Sequence, residues 1–299
     1  MNTVFYYLFL LTVRLVSLFP FSVLYRFSDA TSFLLFRVIK YRRNVVFQNL
    51  KNAFPEKSTA ERTLIAKKFY DHFSDLIYES IKMYRLSDEQ IRQRISYSNK
   101  QVLLDLYKKN KHVVVVIGHY GNWEWIAGLA GQTPYNDMSI YKPMRNKYFD
   151  HFFKNLRAKY GLELVPMRQT IRKILTYKKE NRLTLSAFIS DQSPVWEETQ
   201  YWTEFLNQDT AVYLGIEKIA KQTDQAVVFY ATRKVKRGYY EVEVIPLFEE
   251  TRNLPPYTIT DSHVQTMEKL IKEKPEHWLW SHRRWKLTER KQNNGKKLK

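Results

Sequence analysis

At 299 residues the chain has room for one large domain or two small ones around a substantial core. It contains no cysteine, which excludes disulfides, thiolate nucleophiles and cysteine metal sites. A formal charge of +19 calls for an anionic partner, whether nucleic acid, an acidic protein or anionic lipid, and an aromatic content of 15% suits base stacking and a lipid interface equally.

Residues 3–25 are almost wholly apolar, with Arg14 the only acid or base before Tyr25, and a second apolar patch comes at Phe33-Leu34-Leu35-Phe36. The length predicts a membrane helix, whereas Arg14 and Pro20 favour an interfacial or re-entrant helix pair over a full span; a buried core helix is the alternative. A basic leader and a small-residue cleavage site are both missing, so a removable signal peptide is not expected. Arg37, Lys40, Arg42 and Arg43 come next and, by the positive-inside tendency, place the succeeding domain on the cytoplasmic side, where they would also suit anionic head groups.

Ser58-Thr59-Ala60-Glu61 has the form of a capping box, and Leu64, Ile65, Phe69, Phe73, Leu76, Ile77, Ile81 and Tyr84 recur at helical spacing behind it. Ser87 to Gln90 repeats the box. These helices read as scaffold.

The centre of the chain is His112-Val113-Val114-Val115-Val116-Ile117-Gly118-His119-Tyr120-Gly121-Asn122-Trp123-Glu124-Trp125. Five consecutive aliphatics predict a strand buried on both faces. On an uninterrupted helix His119 and Glu124 would stand about 140° apart. Gly118 and Gly121 allow the chain to turn between them, and Asn122 can cap a helix beginning at Trp123. Glu124 would then be able to accept the Nδ1 proton of His119 and leave Nε2 as a base. A buried histidine satisfied by a neighbouring acid fits the same spacing.

Further on, strands are predicted at 137–141, 162–165 and 183–189, helices at 147–160, 170–179 and 212–222, and a hairpin of 226–234 with 239–245 at one edge of the sheet. The alternation predicts an α/β fold: a central, mostly parallel sheet flanked by helices, preceded by an N-terminal apolar membrane helix region. In such sheets ligands lie at the carboxyl ends of strands, so the segments after 141 and 189 should converge on His119. Lys142, Arg145, Arg157 and Arg168 are candidates for holding an oxyanion or phosphate, or are plain surface charges. Residues 275–286 interleave Trp278, Trp280 and Trp285 with Arg283 and Arg284. They form either a lipid head-group interface or a segment that packs its tryptophans into the core. No nucleophile elbow, zinc-helix motif, metal-ligand cluster or RNA-binding motif is seen, so no metal, cofactor or nucleic acid is expected. A basic protein that binds anionic lipid or RNA without chemistry is the non-enzymatic alternative.

Four blocks in order carry a resemblance: Gly-His-Tyr-Gly-Asn-Trp-Glu at 118–124, Tyr-Lys-Pro-Met-Arg-Asn-Lys-Tyr-Phe-Asp at 141–150, Asp191-Gln192, and Pro-Glu-His-Trp-Leu-Trp-Ser-His-Arg-Arg-Trp-Lys at 275–286. With Gln48-Asn49-Leu50 and Phe54-Pro55-Glu56 they resemble the bacterial lipid A biosynthesis acyltransferases over most of the chain. The resemblance implies a glycerolipid-acyltransferase-like fold and transfer of a fatty acyl group from acyl carrier protein to a hydroxyl of a lipid A precursor, without cofactor. It also implies a Gram-negative inner-membrane location with the catalytic domain facing the cytoplasm. By carry-over His119 is the general base and Glu124 its orienting partner, while Asp191 belongs to the third block with no assigned role. Lys142 stands where the second block usually has arginine, and residues 194–210 look divergent, which leaves another lysophospholipid or an aminolipid as alternative acceptor. The implied organisation is a membrane-anchoring region at 1–43, a catalytic domain at 44–290 and a basic tail at 291–299.

Overall fold

The computed structural model describes residues 3–144 and 146–297, with side chains as far as Lys291. Two short helices come first, α1 (Thr3–Val16) and α2 (Phe21–Phe33), the second running into a π-helical turn at Leu34–Val38. After them come α3 (Arg43–Ala53), the long α4 (Thr59–Met83) and the short α5 (Asp88–Arg92). Ser58 and Ser87 both form complete capping boxes, with Glu61 and Gln90 respectively, so each box read from sequence marks a real helix start.

The main domain continues with β1 (Ile95–Tyr97), α6 (Gln101–Lys108), β2 (Val113–Ile117), β3 (Asn136–Tyr141), α7 (Lys147–Ala158), β4 (Glu163–Pro166), α8 (Thr170–Lys179) and β5 (Thr184–Ile189). A separate antiparallel hairpin, β6 (Tyr201–Phe205) and β7 (Gln208–Val212), precedes α9 (Gly215–Thr223). The long pair β8 (Ala226–Lys236) and β9 (Tyr239–Phe248), then α10 (Thr258–Glu273) and α11 (Lys286–Lys297), complete the chain.

Seven strands form one sheet in the order β1-β9-β8-β2-β5-β3-β4, parallel at every neighbour except β8–β9. The β8–β9 hairpin is not at the edge, because β1 adds a parallel strand outside β9. Side chains alternate across a strand, so the residues of β2 divide between two cores. Val114 and Val116 pack with Phe69, Tyr70, Phe229, Trp278 and Trp280 on one face of the sheet. On the other, Val113, Val115 and Ile117 pack with Trp125, Phe152, Leu185 and Val228. Each fully buried valine contributes about 1.5–3 kcal/mol, so this strand is fixed from both sides.

The N-terminal region corrects the sequence reading. No helix among the described residues is long and apolar enough to cross a membrane. At 14 residues α1 is about 21 Å long, against roughly 30 Å of bilayer hydrocarbon, and Pro20 separates it from α2. Arg14 donates through Nε to the Tyr84 hydroxyl. The face that α2 turns to α4 is polar: Ser28 donates to Asp75, and the Thr31 hydroxyl bonds that of Tyr78. In place of the expected apolar membrane helix region, residues 3–43 are therefore short helices pinned to the scaffold. The same finding stands against the inner-membrane location that the resemblance implied, because no described helix could span the bilayer. Helix α11 runs on from Lys286 into the stretch expected as a basic tail, as far as Lys297.

Candidate active site

In the parallel pair β2–β5, Ile117 lies opposite Ile189, and His119 and Asp191 stand two residues beyond these strand ends. Their side chains meet: His119 Nδ1 is 2.7 Å from Asp191 Oδ1, and Oδ2 accepts the His119 backbone N–H at 2.9 Å. Trp278 Nε1 donates to Oδ2 as well, at 2.8 Å. Gly118 permits this approach, since a Cβ there would come 2.3 Å from Met267 Cε and 3.4 Å from Asp191 Cγ. Burial alone would raise the Asp191 carboxyl, but adjacent His119 and the N–H groups bonded to it bring it down to about 2. The charged acid holds the proton on Nδ1, so Nε2 is the free, basic nitrogen. The Gln192 amide nitrogen lies 3.1 Å from that Nε2.

Glu124 does not touch this imidazole. Instead Arg157 on α7 grips it with two hydrogen bonds, Nε to Oε2 at 2.9 Å and Nη2 to Oε1 at 2.7 Å. The expected His119–Glu124 pair is thus replaced by His119–Asp191 and Glu124–Arg157. The local reason is the turn. Gly121 has φ +61°, and a Cβ on it would meet the Thr232 carbonyl at 2.8 Å. Asn122 accepts the Trp125 N–H, as a cap should, but the helix it opens is a 3-10 helix over Trp125–Leu129 rather than an α-helix from Trp123. This tighter turn directs Glu124 toward α7.

Of the three expected cationic residues that are described, two line the cavity beside His119, Lys142 and Arg157, whereas Arg168 is exposed beyond β4 and is not among the lining residues. Arg145 lies outside the described residues.

Of the two readings of the closing block, its burial matches core packing. Trp278, Trp280, Trp285 and Arg284 are all buried, and only Arg283 of the expected head-group residues is exposed. The indole N–H groups donate to Asp191, the Pro275 carbonyl and Thr210 Oγ1 respectively, which is why three tryptophans with polar edges sit in a core. Residues 277–279 pair with the turn that bears His119: Gly121 N donates to the His277 carbonyl and Leu279 N to that of His119. Arg284 lies behind Asp191, donating to the Ala211 carbonyl, and burial depresses its guanidinium to about 10. His282 lines the cavity, where burial pushes its imidazole down to about 4.

The cavity at His119 has a volume of about 590 Å³. Ile117, Ile126, Leu129, Leu162, Leu185, Ala187 and Ile189 give it apolar walls. Asp137, pushed up to about 6 by burial, and Tyr97 and Tyr230, whose hydroxyls are 3.0 Å apart, also line it. Sequence reasoning placed Gln192 only within its block and gave no site role to His282 or this tyrosine pair. Asp191 was signalled by its place just past a strand and by the third block, neither of which assigned it a role.

Residues 1–287 match the family model of the bacterial lipid A biosynthesis acyltransferases. The chain belongs to this family. It is 22% identical over 273 residues to the lipid A biosynthesis lauroyltransferase of Escherichia coli K12, covering 89% of this chain and 86% of that one. It is 19% identical over 245 residues to the lipid A biosynthesis myristoyltransferase of the same organism, covering 82% and 75%. The lipid A biosynthesis acyltransferase 2 of Shigella flexneri is 20% identical over 243 residues, covering 81% and 76%. Membership makes the chain an acyltransferase of lipid A biosynthesis and its substrate a lipid A precursor.

Proposed function

We propose that the chain transfers a fatty acyl group from acyl carrier protein to a hydroxyl of a lipid A precursor, with His119 as general base and Asp191 as the residue that orients it. The observation that carries this reading is the imidazole itself, held through Nδ1 by a charged carboxylate at 2.7 Å while it borders a long apolar cavity. The acceptor hydroxyl gives its proton to Nε2 as its oxygen attacks the thioester carbonyl. The tetrahedral oxyanion then collapses, the C–S bond breaks, and the carrier thiolate leaves with the proton from the imidazolium. Gln192, freed from Nε2 when the hydroxyl arrives, and Lys142 are the donors placed to receive the oxyanion. The apolar cavity suits the acyl chain. The surplus of positive charge suits an acidic carrier protein, whose encounter it would accelerate.

Glu124 and Arg157 act on position in this reading, locking α7 to the catalytic turn. The test is acyl transfer from acyl carrier protein to lipid A precursor in detergent, with acyl-coenzyme A as an alternative donor. His119→Ala should abolish transfer; unchanged transfer would remove His119 from the chemistry. Equal use of both donors would remove the carrier protein.

A further inference from the structure

A second cavity, of about 560 Å³, lies across the closing block from the first and is lined by Lys40, Arg42, Arg43 and Arg283 with Asn44 and Val45. Among the described residues, no carboxylate lines it. The turn that shapes it is held in an unusual conformation, with φ 52° at Lys40 and φ 48° at Arg42, a region that L residues with long side chains seldom enter. Three contacts hold it there. Arg42 donates to the Ser281 carbonyl at 3.0 Å, the Tyr70 hydroxyl donates to the Tyr41 carbonyl, and the Arg43 guanidinium lies 4.9 Å over the Phe36 ring. The cations are therefore gathered on a fixed frame rather than spread over a mobile surface, and α3 begins at their centre with its positive dipole end.

The two cavities are close neighbours. His282 lines the catalytic one and the next residue, Arg283, lines the cationic one. Asn49 fixes the strap between them by donating to the Trp280 and His282 carbonyls at 2.9 and 3.0 Å. An acceptor with its hydroxyl at His119 needs only to cross this strap to place another group among the four cations.

We infer that this cleft binds a phosphate monoester carried by the acceptor, positioning the glycolipid so that one hydroxyl reaches His119; the inference rests on the acyl-transfer reading. Guanidinium and ammonium side chains lining one concave site, with no carboxylate among the described lining residues, match a compact dianion. A carrier protein would present its carboxylates over a broader, convex surface.

The experiment compares a phosphorylated lipid A precursor with the same lipid after phosphatase treatment, using wild type, Lys40→Gln/Arg283→Gln and the charge-conserving Lys40→Arg/Arg283→Lys. Wild type should prefer the phosphorylated acceptor by about tenfold or more in kcat/KM, mostly through KM, and more strongly at low salt. The neutral double variant should lose that preference and the charge-conserving one keep it. A neutral variant that keeps the preference overturns the inference, as does one whose KM rises for the carrier protein instead. Lipid binding to His119→Ala protein, followed by tryptophan fluorescence, separates the two ideas. Preferential binding of the phosphorylated lipid without any transfer by wild type supports the cleft and sinks the acyl-transfer reading. Equal binding of both lipids alongside normal transfer sinks the cleft alone. Full displacement of the lipid by inorganic phosphate would assign the cleft to the free ion and overturn the head-group inference.

Discussion

His119 and Asp191 are held together twice, once through the imidazole Nδ1 at 2.7 Å and once through the backbone N–H at 2.9 Å. The second bond fixes the carboxylate so that the first can select a tautomer. Asp191→Asn keeps the size but removes the charge, and its amide can no longer favour the Nδ1–H form. Its kcat/KM should fall roughly a thousandfold with KM little changed. Activity within a few-fold of wild type would show that Asp191 merely fills space. Because its carboxyl is held at about 2, Asp191 stays ionised throughout the assay range and contributes no titration there. Its own contribution to stability is present above pH about 4 and lost only as pH falls through about 2.

Glu124 and Arg157 offer a contrast, since their two parallel hydrogen bonds depend on a planar guanidinium. Arg157→Lys keeps the charge and breaks the fork, so α7 should shift against the turn that bears His119. The expected result is a severalfold rise in KM for the acyl donor with a smaller loss of kcat than in Asp191→Asn. A loss confined to kcat and as deep as that of Asp191→Asn would move this pair into the chemistry.

Much of the framework could be read locally, and the site partner could not. The strand at 113–117 and the helix at 170–179 coincide with β2 and α8 because an unbroken aliphatic run and a clean helical period need no tertiary information. The partner of His119 lies 72 positions away and depends on β5 pairing with β2, which local spacing does not encode; spacing suggested Glu124 instead. The β6–β7 hairpin was hidden for a different reason. Its turn has positive φ at Leu206 and Asn207 with no glycine, so the usual hairpin signal is missing and the segment reads as a divergent loop. The tryptophans of the closing block suited an interface as well as a core, and the choice came from the buried acceptors waiting for their N–H groups. In the N-terminal region the apolar run was legible, but the polar partners that α4 supplies to α2 were not.

Ala187 sits in the wall of the cavity at His119, midway along β5. Ala187→Leu would narrow the channel there without disturbing the paired strand ends. Transfer of the longest accepted acyl chain should fall roughly tenfold or more while shorter donors are used as well as before. A set of acyl carrier proteins loaded with chains of graded length reads this directly; equal loss for every length would place the chain elsewhere.

Glu79 is a fully buried carboxylate bonded to the turn after His119, accepting from Tyr25, Tyr240 and Asn122. Burial and the nearby Asp75 push it up to about 7, and Tyr240, Lys234 and Tyr25 only partly oppose them. The protons bound in each state set the sign. Between its ordinary value of 4.5 and about 7 the folded protein keeps a proton that the unfolded chain has released, so stability falls as pH rises through this window. The stabilising contribution is complete below pH about 4.5, gone above about 7, and up to roughly 3 kcal/mol in size. Glu79→Gln should flatten that slope in chemical denaturation series at pH 5, 6, 7 and 8, while keeping the side chain's shape for Asn122. A variant with the wild-type slope would show that the pH dependence originates in another group.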